Sequence, residues 1–285
     1  MNILSTRGVV LTVLLIVIAA GSTVADDSVS RQDTVSLAEH REHLDTGITQ
    51  PPDSHILYEL PGQADVRVYT ITYSDSWGEM DIYYPGAFDY DQALPAVLMM
   101  PGYSDRLVRG RHGVSWRQWH RSAEWASLVA ASGLAAVVWE SGQPYFSARD
   151  AITFLSDNAG DLMIDTENLG ILTFSAQALP AVQLLSHQEI PGVSGVQAVA
   201  MLYPIDQSTY LPAFNPSFYI VRAGADLRRR LQELDLYVDR LRAHDLETTV
   251  VDYDEAAHDF DLNLDTQRTR QVVQGVLDFL VSELR

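Results

Sequence analysis

The stretch GILTFSAQALPAVQLL, Gly170 to Leu185, changes its hydrophobic period in the middle. Gly170 to Phe174 is apolar and β-rich, as a buried strand is, whereas the apolar residues after Ala176 recur at helical spacing. Ser175 stands between the two. The reading is therefore strand, sharp turn, helix, with a hydroxyl at the corner. Two residues to either side stand Thr173 and Gln177, and Pro180 follows early in the helix. A proline beyond the first turn of a helix removes a hydrogen bond and crowds a carbonyl, at a cost of roughly 3 kcal/mol, so an irregular helix start is expected. Taken alone, Ser175 either caps that helix or is pushed out of the sheet by the turn.

The same alternation continues on both sides. PAVLMMP, LAAVVWE, NLGILTF, VQAVAMLYP, SFYIVRAG and TTVVDYD are short apolar strands. Helical periods separate them around Ser115–Ser132, Ser147–Asn158, Ala176–His187 and Leu227–Ala243, with a last helix over Thr266–Leu284. Strands alternating with helices predict an α/β fold, a mostly parallel central sheet covered on both faces. Ahead of it, DVRVYTITY and EMDIYYP flank the turn-rich SDSWG and read as an antiparallel hairpin.

The chain has 285 residues and is 47% hydrophobic, enough for one substantial domain. Three parts are expected: a signal peptide over 1–25, a leader over 26–62 and the α/β domain over 63–285. The first part has an early cation at Arg7, an apolar run from Val9 to Ala20 and small residues up to Ala25. That is the layout of a cleaved export signal, and the run is shorter than the roughly 20 residues of a spanning helix. A secreted or periplasmic protein with no stable membrane association after cleavage is the expectation. His40 and His43 in the polar leader lack a third neighbouring ligand and read as a solvated helix face.

Acidic residues number 38 against 19 basic ones, giving a formal charge of −19, and all the basic residues are arginine. So negative a surface repels nucleic acid and anionic membranes. Adaptation to high salt and biased codon usage both account for the missing lysines. There is no cysteine, which excludes thiol catalysis and disulfide bracing. No metal or organic cofactor is expected, and the oligomeric state is not legible.

In a parallel sheet, ligands collect where strands end, and four strand ends here carry suggestive groups. PGYSD leaves one strand through a glycine turn, Ser175 leaves a second, Asp226 follows VRAGA, and His258 sits in YDEAAHDF after the last strand. A serine hydroxyl becomes nucleophilic when a histidine accepts its proton and a carboxylate orients that histidine. Ser175, His258 and Asp226 fill those roles. Backbone N–H groups of Tyr103 and Ala176 would form an oxyanion hole at a helix N-terminus. Each has a plainer alternative: Asp226 as a helix cap, His258 as a solvated histidine among acids.

On these residues the chain resembles the α/β-hydrolase superfamily from Val66 to the C-terminus, nearest to its dienelactone-hydrolase-like and small serine esterase branches. NLGILTFSAQA is similar to the nucleophile elbow, although the family writes it G-x-S-x-G where this chain has Thr173 and Gln177. PGYSD matches the oxyanion loop, Asp226 the acid and AAHDFDL the base. The dienelactone hydrolases proper carry cysteine at the elbow, so Ser175 implies esterase chemistry instead. The short Pro204–Pro216 segment implies that no large cap domain covers the site.

The sequence reading is thus an exported serine esterase acting on a small or polymer-borne ester. Its rivals are an inactive binding or scaffold protein and a peptidase on the same fold. Glu140 and Gln177 are candidate substrate contacts, Glu140 having a structural ion pair as its alternative. Trp116, Trp119 and Trp125 read as core before substrate platform. Arg106, Arg109 and Arg111 read as surface balance before anion attraction, and Ile56–Leu60 as a partial cover for the pocket.

Overall fold

The computed structural model describes residues 56, 58–88, 91–205 and 210–285. The expected signal peptide and most of the leader, with His40 and His43, lie outside the described residues.

Eight strands form one sheet in the order β1-β2-β4-β3-β5-β6-β7-β8. Arg67–Ser74 (β1) and Gly78–Tyr84 (β2) make the antiparallel hairpin, and β2 also runs antiparallel to Ala135–Trp139 (β4). Leu94–Met99 (β3), β4, Ile164–Phe174 (β5), Val196–Leu202 (β6), Ser217–Ala223 (β7) and Thr248–Tyr253 (β8) pair in parallel. Every strand expected from an apolar run is present.

The near-continuous apolar runs arise because both faces of the sheet are covered. Alternate residues of β3 show it: Ala96 and Leu98 join one buried cluster, Val97 and Met99 the other. Pro144–Asp157 (α3), Ala178–Leu185 (α4) and Arg228–Ala243 (α5) bury residues in the first cluster. The second takes His120–Ala131 (α2) and Gln267–Leu284 (α7). Gly170 in β5 lets α7 approach closely, since a Cβ there would lie 3.0 Å from Leu284 Cδ1 and 3.2 Å from Leu280 Cδ2.

Several boundaries depart from the sequence reading. Asp105–His112 forms a helix (α1) ahead of the first helix expected from the sequence, around Ser115–Ser132. It buries only Val108 and ends on Gly113 in the left-handed region, so no apolar stripe announced it. The next helix starts at His120, not Ser115. Phe260–Asn263 (α6) is a single short turn after the His258 loop. Ile56 donates its N–H to Glu124 Oε2 at 2.5 Å, and Tyr58 donates its hydroxyl to Gln274. Those partners lie on α2 and α7, and Ile56, Tyr58 and Leu60 do not line the pocket beside Ser175. The described part of the leader is therefore not its cover.

Candidate active site

Ser175 has φ 53°, in the left-handed region that a non-glycine residue rarely occupies. The strain follows from the corner itself: β5 stops at Phe174, a single 3₁₀ turn covers Ser175–Gln177, and α4 starts at Ala178. Pro180 is thus the third residue of α4. Its missing N–H falls in the first turn, where no intrahelical partner exists, so the expected penalty does not arise.

The two unusual flanking residues have distinct fates. Gln177 is buried, and its Oε1 accepts the Phe174 N–H at 3.1 Å. The candidate substrate contact is therefore also a brace for the corner, its amide oxygen turned back to the backbone. Thr173 is fully buried in β5, and its hydroxyl has no hydrogen-bond partner among the described residues. Neither side chain keeps Ser175 from its neighbours. His258 Nε2 lies 2.7 Å from Ser175 Oγ, and His258 Nδ1 lies 2.6 Å from Asp226 Oδ2.

Backbone pairing holds the three loops together. Gly224 N–H donates to Tyr253 O and Ala225 N–H to Ala256 O, both at 2.9 Å, which zips the Asp226 turn to the His258 loop. Ile205 N–H donates to Ser175 O at 3.1 Å, tying the corner to the end of β6. Asp226 Oδ1 accepts the Leu227 N–H at 2.7 Å and Arg230 Nη1 at 3.1 Å. Burial alone would raise the Asp226 carboxyl. Hydrogen bonds from His258 and Leu227, with the charges of His258 and Arg230, outweigh it and hold the group below its ordinary value. An ionised Asp226 makes His258 Nδ1 the donor and leaves Nε2 to accept from Ser175.

Gly102 explains how the loop after β3 meets the corner. A Cβ at that position would lie 2.9 Å from Gln177 Cγ and 3.1 Å from the Gln177 backbone nitrogen, so only glycine permits the approach. Tyr103 and Ala176 both line the cavity above Ser175, and neither donates its backbone N–H to another described residue. The loop is fixed from behind. Asp105 donates its N–H to Ser141 O at 2.5 Å, while its carboxylate accepts Trp116 N–H at 2.5 Å and Ser141 N–H at 3.0 Å.

The cavity holds about 380 Å³ beside Ser175, Ala176, Gln177 and His258. Trp116 and Trp119 line it although Trp116 is nearly buried, whereas Trp125 belongs to the core. Arg111 lines it too, and Arg106 is exposed. Glu140 requires correction as a substrate contact. It lies outside the cavity lining and pairs with Arg109 of α1 at 2.7 Å, the structural ion pair that was its alternative.

Residues that the sequence did not single out complete the site. Tyr203, at φ 40° just past β6, packs its ring 4.8 Å from that of His258. Asp261 is buried and accepts Tyr203 OH at 2.5 Å and Trp125 Nε1 at 3.0 Å. Arg121 from α2 reaches the same cluster. No spacing rule finds such residues, because their partners lie far along the chain.

The arrangement has the organisation of an α/β-hydrolase-fold protein, and solved structures bear that out. A bacterial heroin esterase matches with TM-score 0.61 at 14% identity, over 80% of this chain and 86% of that one. A fungal esterase of Rhizomucor miehei matches with TM-score 0.59 at 15% identity, over 83% and 94%. A thermostable esterase of Pseudomonas putida matches with TM-score 0.59 at 14% identity, over 81% and 86%. The chain therefore has the α/β-hydrolase fold. No protein-family model and no curated protein matches it.

Proposed function

We propose that this protein is an exported serine hydrolase that cleaves carboxylic esters through an acyl-enzyme on Ser175. One observation carries the reading: the unbroken chain from Ser175 Oγ to His258 at 2.7 Å and on to Asp226 at 2.6 Å. In the proposed reaction His258 Nε2 takes the hydroxyl proton as Ser175 Oγ attacks the ester carbonyl, and Asp226 stabilises the imidazolium. The Tyr103 and Ala176 N–H groups receive the oxyanion at the N-terminal turn before α4. His258 then protonates the departing alcohol. Water, deprotonated by the same imidazole, attacks the acyl-enzyme and releases the acid.

The proposed chemistry uses side chains, backbone N–H groups and water. The short connection from β6 to β7 and the open cavity support a capless, dienelactone-hydrolase-like subtype acting on small or polymer-borne esters. Export rests on the layout of residues 1–25.

The test is labelling of the folded chain by a fluorophosphonate, beside hydrolysis of short-chain p-nitrophenyl esters, with Ser175→Ala as control. Label and turnover that both disappear in the control are expected. A folded protein that neither labels nor turns over esters leaves a binding protein on a hydrolase fold.

A further inference from the structure

Arg121 stands apart from the proposed chemistry, yet it touches the strand ends that present it. Its side chain is only 4% exposed, and Nη2 donates to Asp259 Oδ1 at 2.7 Å while Nε approaches Asp261 Oδ2 at 3.4 Å. The guanidinium carbon lies 5.5 Å from the Phe174 ring centre, next to Ser175, and 5.9 Å from the Tyr203 ring centre, against which His258 packs. Asp259 directly follows His258 and has φ 59°, in the left-handed region that aspartate enters more readily than most residues.

We propose that Arg121 is the positioning residue of the site, clamping the His258 loop through Asp259 and balancing the carboxylates that surround the imidazole. This rests on the serine hydrolase reading above. The groups around His258 come from several elements: Ser175 from the β5 corner, Tyr203 from the end of β6, Asp226 with Arg230 from the β7 turn and α5, and Arg111 with His112 from α1, which line the same cavity. Its own loop adds Asp254, Glu255 and Asp259, with buried Asp261 just beyond. Arg230 is bonded to Asp226, and Arg121 is the cation bonded to the Asp259 side. Without it, Asp259 and Asp261 would act on the imidazole uncompensated. They would favour its charged form, which cannot accept the Ser175 proton.

The sign of the effect can be read. Arg121→Gln removes a positive charge, so the acid limb of Ser175 reactivity moves to higher pH. Asp259→Asn removes a negative charge and leaves Arg121 in place, so the limb moves to lower pH. For unit charges near the imidazole and partly screened by solvent, a shift of about half a pH unit is expected in each direction. A purely structural role would lower the rate without displacing the midpoints in opposite senses.

The experiment is the rate of fluorophosphonate labelling of Ser175 against pH in the wild type, Arg121→Gln, Asp259→Asn and the double variant, with circular dichroism to confirm folding. Opposed shifts in the single variants and a midpoint near wild type in the double variant are expected. If Arg121→Gln does not fold, the downward shift in Asp259→Asn carries the test, its side chain being 41% exposed. Midpoints that coincide with wild type, in a protein that labels normally, overturn this inference and leave the hydrolase reading intact. A wild type that never labels removes both.

Discussion

Gln177 accepts the Phe174 N–H at 3.1 Å and so closes, from the far side, the corner on which Ser175 is strained. The usual glycine at this position cannot make that bond. Gln177→Ala leaves a buried N–H without its partner, a loss of about 1–3 kcal/mol, and should lower both the urea midpoint and the labelling rate. Gln177→Glu separates the two roles. Its carboxylate can still accept from Phe174, but it adds negative charge where the oxyanion forms. Some loss of stability from burying the charge, with ester turnover of the folded protein reduced tenfold or more, is expected; unchanged turnover would mean that Ala176 and Tyr103 do not receive the oxyanion.

Thr173 makes a contrary prediction. Its hydroxyl is buried in β5 with no hydrogen-bond partner among the described residues, a desolvation cost of about 1–3 kcal/mol. Valine has the same shape without the hydroxyl. Thr173→Val should therefore raise the unfolding free energy by about 1 kcal/mol or more, read as a higher urea midpoint, while fluorophosphonate labelling stays at the wild-type rate. Lower stability would show that the hydroxyl has a partner after all.

These two positions also show where sequence reading stops. The strand periods and the order Ser175, Asp226, His258 were legible because each depends on local pattern, and the sheet brings strand ends together whatever the loops contain. The fates of Thr173, Gln177 and Pro180 were not, because a 3₁₀ turn of three residues moves the helix start and changes which groups need partners. Helix α1 was missed for want of an apolar stripe. Glu140 was misdirected because a strand-end carboxylate can face either the cavity or a neighbouring helix, and Arg109 decides it. Arg121 was invisible since its partner Asp259 lies 138 residues away.

Asp226 carries a pH prediction. Its carboxyl is held below the ordinary value, chiefly because the His258 hydrogen bond outweighs burial. A depressed acid stabilises the fold above its unfolded value, near 3.9, and that contribution is lost as pH falls through the folded value. Asp226→Asn should accordingly cost stability at neutral pH, and the gap from wild type should close on acidification below about pH 4. Labelling should fall by roughly 10⁴, because an amide neither fixes the imidazole tautomer nor stabilises its cation. Equal stability curves at pH 7 would contradict the assignment of Asp226 as the partner of His258.

Asp105 gives the last test, since it ties the loop proposed to receive the oxyanion to both the segment beyond β4 and the Trp116 segment. Its carboxylate accepts two backbone N–H groups, Trp116 at 2.5 Å and Ser141 at 3.0 Å. Asp105→Ala frees the loop one residue beyond Ser104, while leaving Ser175, His258 and Asp226 untouched. An oxyanion donor acts on the transition state and hardly on the bound ester, so its displacement reduces kcat and spares KM. A fall of about 10–100-fold in kcat is expected, the scale of a misplacement near 1 Å. Asp105→Asn, which keeps an acceptor for one of the two N–H groups, should lie between alanine and wild type. If Asp105→Ala instead raises KM at constant kcat, the loop binds substrate in the ground state and Tyr103 is not an oxyanion donor.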